Sequence, residues 1–132
     1  MTKLPADRFS LQIRASMDAL LQCHRVCLSM AMTHCFEIGG EHARPQHLRL
    51  MLDCAEFCLL TADMLARKSQ FHNRICALSA EICDVCAADC AKLGHMDECV
   101  AICRTTAALC REAARLEHAE VLSMASSLPP GK

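Results

Sequence analysis

Four cysteines recur along one short stretch of the chain, residues 76–90, whose Ala, Leu, Glu and Ile content favours a helix. At about 100° per residue, their side chains fall within an arc of roughly 80° on one face of that helix. His72 and Ser79 fall in the same arc. A bundle helix normally places Leu and Ile on this face, but this helix places sulfur there: Cys76, Cys83, Cys86 and Cys90. The pattern predicts a buried face that binds soft metal ions.

Cysteine dominates the composition, with 12 thiols in 132 residues. Residues four apart on a helix have Cβ atoms about 5–6 Å apart, whereas a disulfide needs roughly 3.5–4.5 Å. A metal ion with metal–sulfur bonds of about 2.3 Å joins sulfurs up to ~4.6 Å apart. The spacing therefore favours metal binding over oxidation. A Cys-x-x-x-Cys pair occurs once in every predicted helix: Cys23/Cys27, Cys54/Cys58, Cys86/Cys90 and Cys99/Cys103.

Charge distinguishes between the metals that thiolates prefer, which are Cu(I), Zn(II) and iron–sulfur clusters. A Zn(II) site with four thiolates keeps two net negative charges, and several such sites in one dry core would repel each other. Cu(I) with about one thiolate per ion leaves the core near neutral, which avoids the cost of buried charge. Iron–sulfur proteins usually gather cysteines on loops, and a di-iron bundle needs inward Glu-x-x-His pairs, which this sequence lacks. Cu(I), with several ions per chain, is the metal that fits best.

The elements that position these thiols are predicted to be four helices with short connections, and no segment has a strand pattern. They run from about Ser10 to Ile38, from Pro45 to about Lys68, from Ser69 or Asn73 to Leu93, and from about Met96 to about Met124. Glycine at residues 39, 40 and 94 suits helix ends, and Pro45 suits a first turn. The fold class is all-α, an antiparallel up-down-up-down four-helix bundle with a Cys-lined core. Residues 1–132 form one domain, in which 1–9 is a leader and 126–132 a frayed tail.

Helical periodicity also predicts which side chains share the core. Helix one turns Leu20, Cys23, Cys27, Met30, His34 and Ile38 inward, with Cys35 at the margin of that face. Because the helices alternate in direction, one end of the bundle collects His and Met side chains, and we expect copper to enter there. The predicted metal ligands are all twelve thiols, Cys23, Cys27, Cys35, Cys54, Cys58, Cys76, Cys83, Cys86, Cys90, Cys99, Cys103 and Cys110, together with His34, His47, Met51 and Met96 at the entrance.

Composition argues against several other classes of protein. The formal net charge is -1, and four Phe with no Trp or Tyr offer little for base stacking, so nucleic acid is a poor partner. The longest uncharged run near the thiols is too short to span a bilayer. The first ten residues lack an apolar signal segment, and the cysteines follow helical spacing. We therefore expect a cytoplasmic protein with reduced thiols.

Four segments resemble the bacterial copper storage proteins, and most closely their cytosolic branch. They are QCHRVCLS at 22–29, GGEHA at 39–43, HLRLMLDCAEFC at 47–58 and AEICDVCAADC at 80–90. The resemblance covers roughly residues 15 to 115. It implies a four-helix bundle, a homotetramer and a Cys-lined core that holds many Cu(I) ions. It also implies copper entrance at the end that carries His34, His47, Met51 and Met96.

The chain departs from that family at three inward positions, where relatives often have cysteine and this sequence has Leu20, Ser79 and Thr106. These replacements leave gaps in the ladder of thiols and lower the expected capacity. If sulfurs are shared between ions, 12 thiols suggest on the order of ten Cu(I).

Other functions compete with storage. Cys83, Cys86 and Cys90 contain a Cys-x-x-Cys spacing that suits a thiol oxidoreductase, a Zn(II)-binding helical protein is a further alternative, and so is a purely structural helical module. No nucleophile–base pair or phosphate loop is evident, so we do not expect an enzyme. A copper chaperone is an expected partner. Of the remaining histidines, His24, His42 and His118 are expected on solvated surfaces.

Overall fold

The computed structural model describes residues 10–117, which form five α-helices and a 3-10 turn and contain no β-strand. The predicted leader, the predicted tail and His118 lie outside these residues. The helices are α1 Leu11–Met32, α2 His34–Ile38, α3 Pro45–Ala66, α4 His72–Leu93 and α5 Asp97–Arg115, with the 3-10 turn at Gly40–Ala43. None of these helices combines the length and apolar character that crossing a lipid bilayer requires.

The four long helices close a ring around one core. Helix α1 packs against α3 and α5, and α4 packs against the same two helices on the other side. The connections between consecutive helices are short, so neighbours in the ring run antiparallel. The predicted four-helix bundle with a Cys-lined core is confirmed.

The first predicted helix is broken at Thr33, and the prediction of one continuous helix from Ser10 to Ile38 is wrong there. The Thr33 hydroxyl donates to the Ser29 carbonyl at 2.7 Å, and the Thr33 backbone leaves helical geometry at φ -124° and ψ -75°. Back-bonding of this kind bends helices. The break turns α2 relative to α1, so that Cys35 is fully buried while Ile38, predicted to face inward, is exposed.

Helix ends follow local chemistry. The Ser10 hydroxyl accepts from the Ile13 amide at 3.1 Å and caps α1, and Pro45 is the first residue of α3. Gly39 and Gly94 follow α2 and α4 with φ of 71° and 80°, a region that favours glycine. Neither Ser69 nor Asn73 is the cap of α4, which begins after Phe71.

The last helix stops earlier than expected. Leu116 is extended, at φ -70° and ψ 137°, and the predicted continuation of the helix is wrong from this residue; residues 118–124 lie outside the description. The Asn73 amide donates to the carbonyls of Ala114 and Leu116 at 2.6 and 2.7 Å, and His72 Nε2 donates to the Leu116 carbonyl at 2.7 Å. Side chains of α4 therefore satisfy carbonyls that the end of α5 leaves without helical partners.

The buried faces of α3, α4 and α5 contain every thiol predicted to face the core from these helices. On α3 the buried set is His47, Met51, Cys54, Ala55, Cys58, Thr61, Ala62 and Leu65, and on α4 it is His72, Cys76, Ser79, Ala80, Cys83, Cys86, Ala87 and Cys90. On α5 it includes Cys99, Cys103, Thr106 and Cys110. All twelve thiols are buried, and all are free. The bundle thus encloses a core of reduced sulfur.

Candidate metal centre

Nine thiols contact one another in the core, and we call them the main thiol cluster. Their sulfur–sulfur contacts measure 3.5 to 4.0 Å and cross between all four long helices. Cys86 joins through its closeness to Cys27, Cys99 and Cys103. The cluster consists of Cys23 and Cys27 from α1, Cys54 and Cys58 from α3, Cys83, Cys86 and Cys90 from α4, and Cys99 and Cys103 from α5.

Three groups of four sulfurs within this cluster are each compact enough to surround a metal ion, with all four atoms within 4.8 Å of one another. The groups overlap, since Cys23, Cys27, Cys54 and Cys103 each belong to two of them. A sulfur that belongs to two groups is placed to bridge two ions. The groups are Cys23, Cys54, Cys58 and Cys83; Cys23, Cys27, Cys54 and Cys103; and Cys27, Cys86, Cys99 and Cys103.

Met51 closes one end of the main thiol cluster. Its thioether sulfur accepts from Cys90 at 3.4 Å and from Cys86 and Cys99 at 3.7 Å each. Its side chain is fully buried, so Met51 lies inside the core, not at its mouth. A thioether is a neutral soft ligand, and it can complete the coordination of an ion without adding charge.

Protonation couples the clustered thiols. The pKa of Cys54 is lowered, because Cys103, followed by Cys23 and Cys27, can donate S–H to its thiolate. The pKa of Cys103 is raised, chiefly because it donates to Cys23 and Cys27 and must give up that proton to ionise. The empty cluster therefore disfavours full ionisation, and a metal cation that replaces these protons relieves the repulsion between thiolates.

No Lys, Arg, Asp or Glu residue is buried as a whole between residues 10 and 117, although the Nζ atom of Lys68, after the end of α3, is shielded from solvent. The core consequently has no fixed charge to balance extra thiolate charge. This environment favours an ion whose charge equals that of the thiolate it binds.

A second group of ligands lies beyond Met51. The Cys35 sulfur lies 3.4 Å from Nε2 of His47, and His47 Nδ1 donates to the Asp89 carboxylate at 2.6 Å. In the neutral form of the ring, this bond places the proton on Nδ1 and leaves the Nε2 lone pair directed at Cys35. Burial raises the pKa of Cys35 to about 11, with a contribution from charge on Cys99 and Cys86.

Sequence reasoning missed two residues here, Asp89 and His42. His42, expected on the surface, is buried, and its Nε2 donates to the Gly94 carbonyl at 2.9 Å. Its ring centroid lies 6.2 Å from that of His34 and 6.3 Å from that of His47. Three imidazoles therefore form a row at this end of the bundle. The antiparallel packing of α3 and α4 offers a signal for Asp89. Met51 of α3 contacts Cys86 and Cys90 of α4, so His47, one turn before Met51, lies at a height close to that of Asp89.

The other predicted entrance residues also lie at this end. His34 is half-buried, and its Nε2 donates to the His95 carbonyl at 2.7 Å. Met96, which follows Gly94 and His95 and precedes α5, is buried. The structure thus places His34, His47, Met51 and Met96 at one end, with Met51 deepest. Their role as metal ligands stays a prediction.

Two thiols lie outside both groups. Cys76 and Cys110 are fully buried, yet within residues 10–117 no compact group of ligand atoms includes either one. Burial, followed by repulsion from charge on Cys110, raises the pKa of Cys76 to about 12. Burial likewise raises the pKa of Cys110 to about 12, although the nearby Ser79 hydroxyl acts to lower it.

The three thiols of the redox alternative are all fully buried on α4. Cys83 contacts Cys54 and Cys58, whereas Cys86 contacts Met51 at the next level. Reactive cysteines are usually partly exposed in an electropositive setting, and buried cysteines are usually inert. The surroundings of these thiols do not favour exchange with a disulfide substrate.

Comparisons with known proteins agree with this geometry. The sequence profile of a family described as copper storage protein matches residues 10–115. The chain belongs to the copper storage protein family. It is 34% identical over 103 residues to the uncharacterized cysteine-rich protein YhjQ of Bacillus subtilis (strain 168), a match that covers 76% of this chain and 94% of the relative.

Two solved structures show the same fold as this copper storage family member. The crystal structure of the Nmul_A1745 protein from Nitrosospira multiformis is 46% identical, with a TM-score of 0.78, and the match covers 80% of this chain and 97% of that one. The Cu(I)-bound copper storage protein BsCsp3 is 32% identical, with a TM-score of 0.71, and the match covers 78% of this chain and 98% of that one.

Proposed function

We propose that this protein stores Cu(I), with multiple ions bound by the thiolates of the main thiol cluster inside a single-domain bundle. The observation that carries the proposal is the continuous sulfur network in a buried core, in which eight thiols from four helices contact one another at 3.5 to 4.0 Å and Cys86 lies within 4.8 Å of three of them. Membership of the copper storage protein family supports it, as does the likeness to a Cu(I)-bound relative.

Charge favours Cu(I) over Zn(II). The overlapping four-sulfur groups would suit tetrahedral Zn(II) geometrically, but each Zn(II) with four thiolates leaves negative charge in a core that holds no buried cation among the described residues. Shared thiolates with about one Cu(I) each leave the core near neutral. Repulsion between neighbouring Zn(II) sites would limit Zn(II) to few ions per chain, whereas Cu(I) fills the cluster.

Copper enters at the end where His34, His42 and His47 form a row above Cys35 and Met51. Imidazole ligands hold Cu(I) less tightly than clustered thiolates, so the row of histidines at the surface binds copper more weakly than the cluster inside. His47 passes the ion to the thiols through the Nε2 atom that faces Cys35. In this account all twelve thiols, with His34, His47, Met51 and Met96, are ligands of stored or entering copper.

The role is storage without catalysis, in the cytoplasm, with a copper chaperone as the donor. Twelve free thiols suit a reducing compartment.

The protein assembles as a homotetramer. Apolar side chains exposed along α1 and α4 support assembly, since contiguous apolar stripes on a surface mark interaction sites; these are Leu21, Leu28 and Met32 on α1 and Leu78 and Val85 on α4. Light scattering coupled to size-exclusion chromatography measures the assembly directly.

An anaerobic titration of the reduced protein with Cu(I), against a chromophoric Cu(I) chelator, tests the function. We expect many Cu(I) per chain to bind before the chelator gains colour. A parallel titration with Zn(II) is expected to saturate at few ions. Uptake of only one or two Cu(I), or a preference for Zn(II), would contradict copper storage.

A further inference from the structure

One cross-section of the core contains no sulfur, and we call it the belt. Each long helix contributes one fully buried side chain to it: Leu20, Thr61, Ser79 and Thr106. Each of these residues lies one helical turn from a member of the main thiol cluster, in sequence terms three or four residues from Cys23, Cys58, Cys83 and Cys103 respectively. Because neighbouring helices run in opposite directions, all four steps lead towards the same end of the bundle.

Cross-helix contacts place the belt residues at one level. The Thr106 hydroxyl donates to the Ala19 carbonyl at 3.2 Å, next to Leu20 in the chain. On the other side of the bundle, Cys58 contacts Cys83 at 3.6 Å, so Thr61 and Ser79, each one turn further along its helix, lie at a similar level. The hydroxyls of Thr61 and Thr106 are bound to backbone carbonyls, and the side chain of Leu20 is apolar. The belt therefore offers no soft ligand.

Cys76 and Cys110 lie beyond the belt, on the neighbouring helices α4 and α5. Cys76 is one turn from Ser79 and Cys110 is one turn from Thr106, both away from the main thiol cluster. Both thiols are fully buried. Besides burial, which raises the pKa of both thiols, charge on Cys110 raises the pKa of Cys76. The raised pKa of Cys110 is opposed by the Ser79 hydroxyl and by Arg111 and reinforced by charge on Cys23 and Cys54 across the belt. The two sulfurs therefore share one small buried compartment, which we call the far compartment.

Ser79 gives the far compartment a polar wall. Its hydroxyl is 1% exposed and has no hydrogen-bond partner of adequate geometry among residues 10–117, although it lies near enough to Cys110 to stabilise a thiolate there. A buried hydroxyl without a partner costs free energy. Ionisation of Cys110 on metal binding would supply an acceptor and recover part of that cost.

We propose that Cys76 and Cys110 form a separate Cu(I) site, which shares no sulfur ligand with the main thiol cluster because the belt lies between them. This rests on the proposed function, since it assumes that the core thiols bind Cu(I). Binding replaces two thiol protons by one Cu(I), and the bis-thiolate carries one net negative charge, which the Ser79 hydroxyl and the positive charge of Arg111 stabilise. Without neighbouring sulfurs to share, the site holds a single ion and fills independently of the cluster.

The test compares two double variants with the wild-type protein in anaerobic Cu(I) titrations against a chelator. C76S/C110S is expected to lose about one Cu(I) per chain and to keep the optical signature of the multinuclear cluster. C54S/C103S, the matched control within the cluster, is expected to lose several ions and to change that signature. Circular dichroism of the apo proteins checks folding, and C76A/C110A replaces the first variant if it does not fold.

The outcomes separate the two proposals. If the wild-type protein binds no more than one or two Cu(I), the proposed function fails and this inference fails with it. If the wild-type protein loads fully but C76S/C110S loses nothing, the far thiols only pack. If that variant loses several ions or alters the optical signature of the cluster, the far thiols and the main thiol cluster bind copper as one unit, and the belt does not separate them.

A gain-of-function variant probes the belt itself. S79C/T106C places thiols at two belt positions, one turn from cluster sulfurs on one side and from Cys76 and Cys110 on the other. We expect capacity to rise by more than one ion and the far site to fill together with the cluster. An unchanged capacity in a folded protein would overturn the role assigned to the belt.

Discussion

Cysteines on the two sides of the belt have different surroundings. In the main thiol cluster every sulfur has sulfur neighbours, and four of them belong to two overlapping groups. In the far compartment, neither Cys76 nor Cys110 belongs to such a group, and burial raises the pKa of each to about 12. A cysteine therefore contributes to storage according to the sulfurs that surround it, and the number of cysteines in a chain does not fix its capacity.

Loss of a shared sulfur should have the largest effect. Cys23 contacts Cys27, Cys54 and Cys103 at 3.9, 4.0 and 3.7 Å, so C23S is expected to remove more than one Cu(I) per chain. The matched control is C76S, which we expect to remove about one ion at most because no other metal shares its sulfur. Metal analysis after desalting measures both. Equal losses in the two variants would contradict the difference between shared sulfurs in the cluster and unshared sulfurs in the far compartment.

Truncation at the belt should affect folding more than copper binding. Leu20 is fully buried, so L20A is expected to lower the free energy of unfolding of the apo protein by about 2–5 kcal/mol. The half-exposed Leu60 serves as control, and L60A should cost roughly 1 kcal/mol or less. Urea denaturation under reducing conditions measures both. A large loss of copper capacity in folded L20A would contradict the belt as a packing layer.

Alkaline pH should destabilise the apo protein through the far compartment. Below about pH 9 the two thiols are protonated in both the folded and unfolded chains. Between pH 9 and about pH 12 the unfolded chain loses these protons while Cys76 and Cys110 keep theirs. The unfolded state then binds fewer protons, so the free energy of unfolding falls as pH rises.

Urea denaturation of the apo protein across this range measures the decline. In C76A/C110A the two titrating groups are absent, so its stability should fall less steeply than that of the wild-type protein. Parallel curves for the two proteins would show that these thiols are not preferentially protonated in the folded state.

The smallest expected effect concerns the rate of loading at the His–Met end. Removal of the Asp89 carboxylate frees the His47 ring to turn away from Cys35, so D89N should slow Cu(I) uptake by about tenfold or less and leave the final capacity nearly unchanged. The control is D84N on the same helix, whose carboxylate pairs with Arg111 at 2.6 Å on the surface. Stopped-flow mixing with a Cu(I)–chelator complex measures the rate. A lower capacity at an unchanged rate would place the entrance elsewhere.

Periodicity predicts the bundle well because α3, α4 and α5 are regular helices, on which position in the sequence fixes the face. It fails at Thr33, where one side-chain hydrogen bond to Ser29 changes the backbone direction. That break reverses the predicted orientation of its neighbours, since Cys35 is more deeply buried than His34. It also fails at Leu116, where α4 side chains that are distant in the sequence satisfy the end of α5.

The candidate site is likewise predicted only in part by periodicity. The spacing of cysteines predicts which thiols face the core, and all twelve do. It does not predict which sulfurs contact one another, because contacts depend on the relative heights of four helices. Met51 illustrates this: it was expected at the entrance, yet its sulfur lies among Cys86, Cys90 and Cys99.

Anomalous diffraction at the copper edge, from crystals of the Cu(I)-loaded protein, tests the central claim most directly. We predict several closely spaced copper peaks among the sulfurs of the main thiol cluster, no peak at the level of Leu20, Ser79 and Thr106, and a single peak between Cys76 and Cys110. An even row of peaks through the belt would contradict the division of the core, and an absence of multiple peaks in the cluster would contradict copper storage itself.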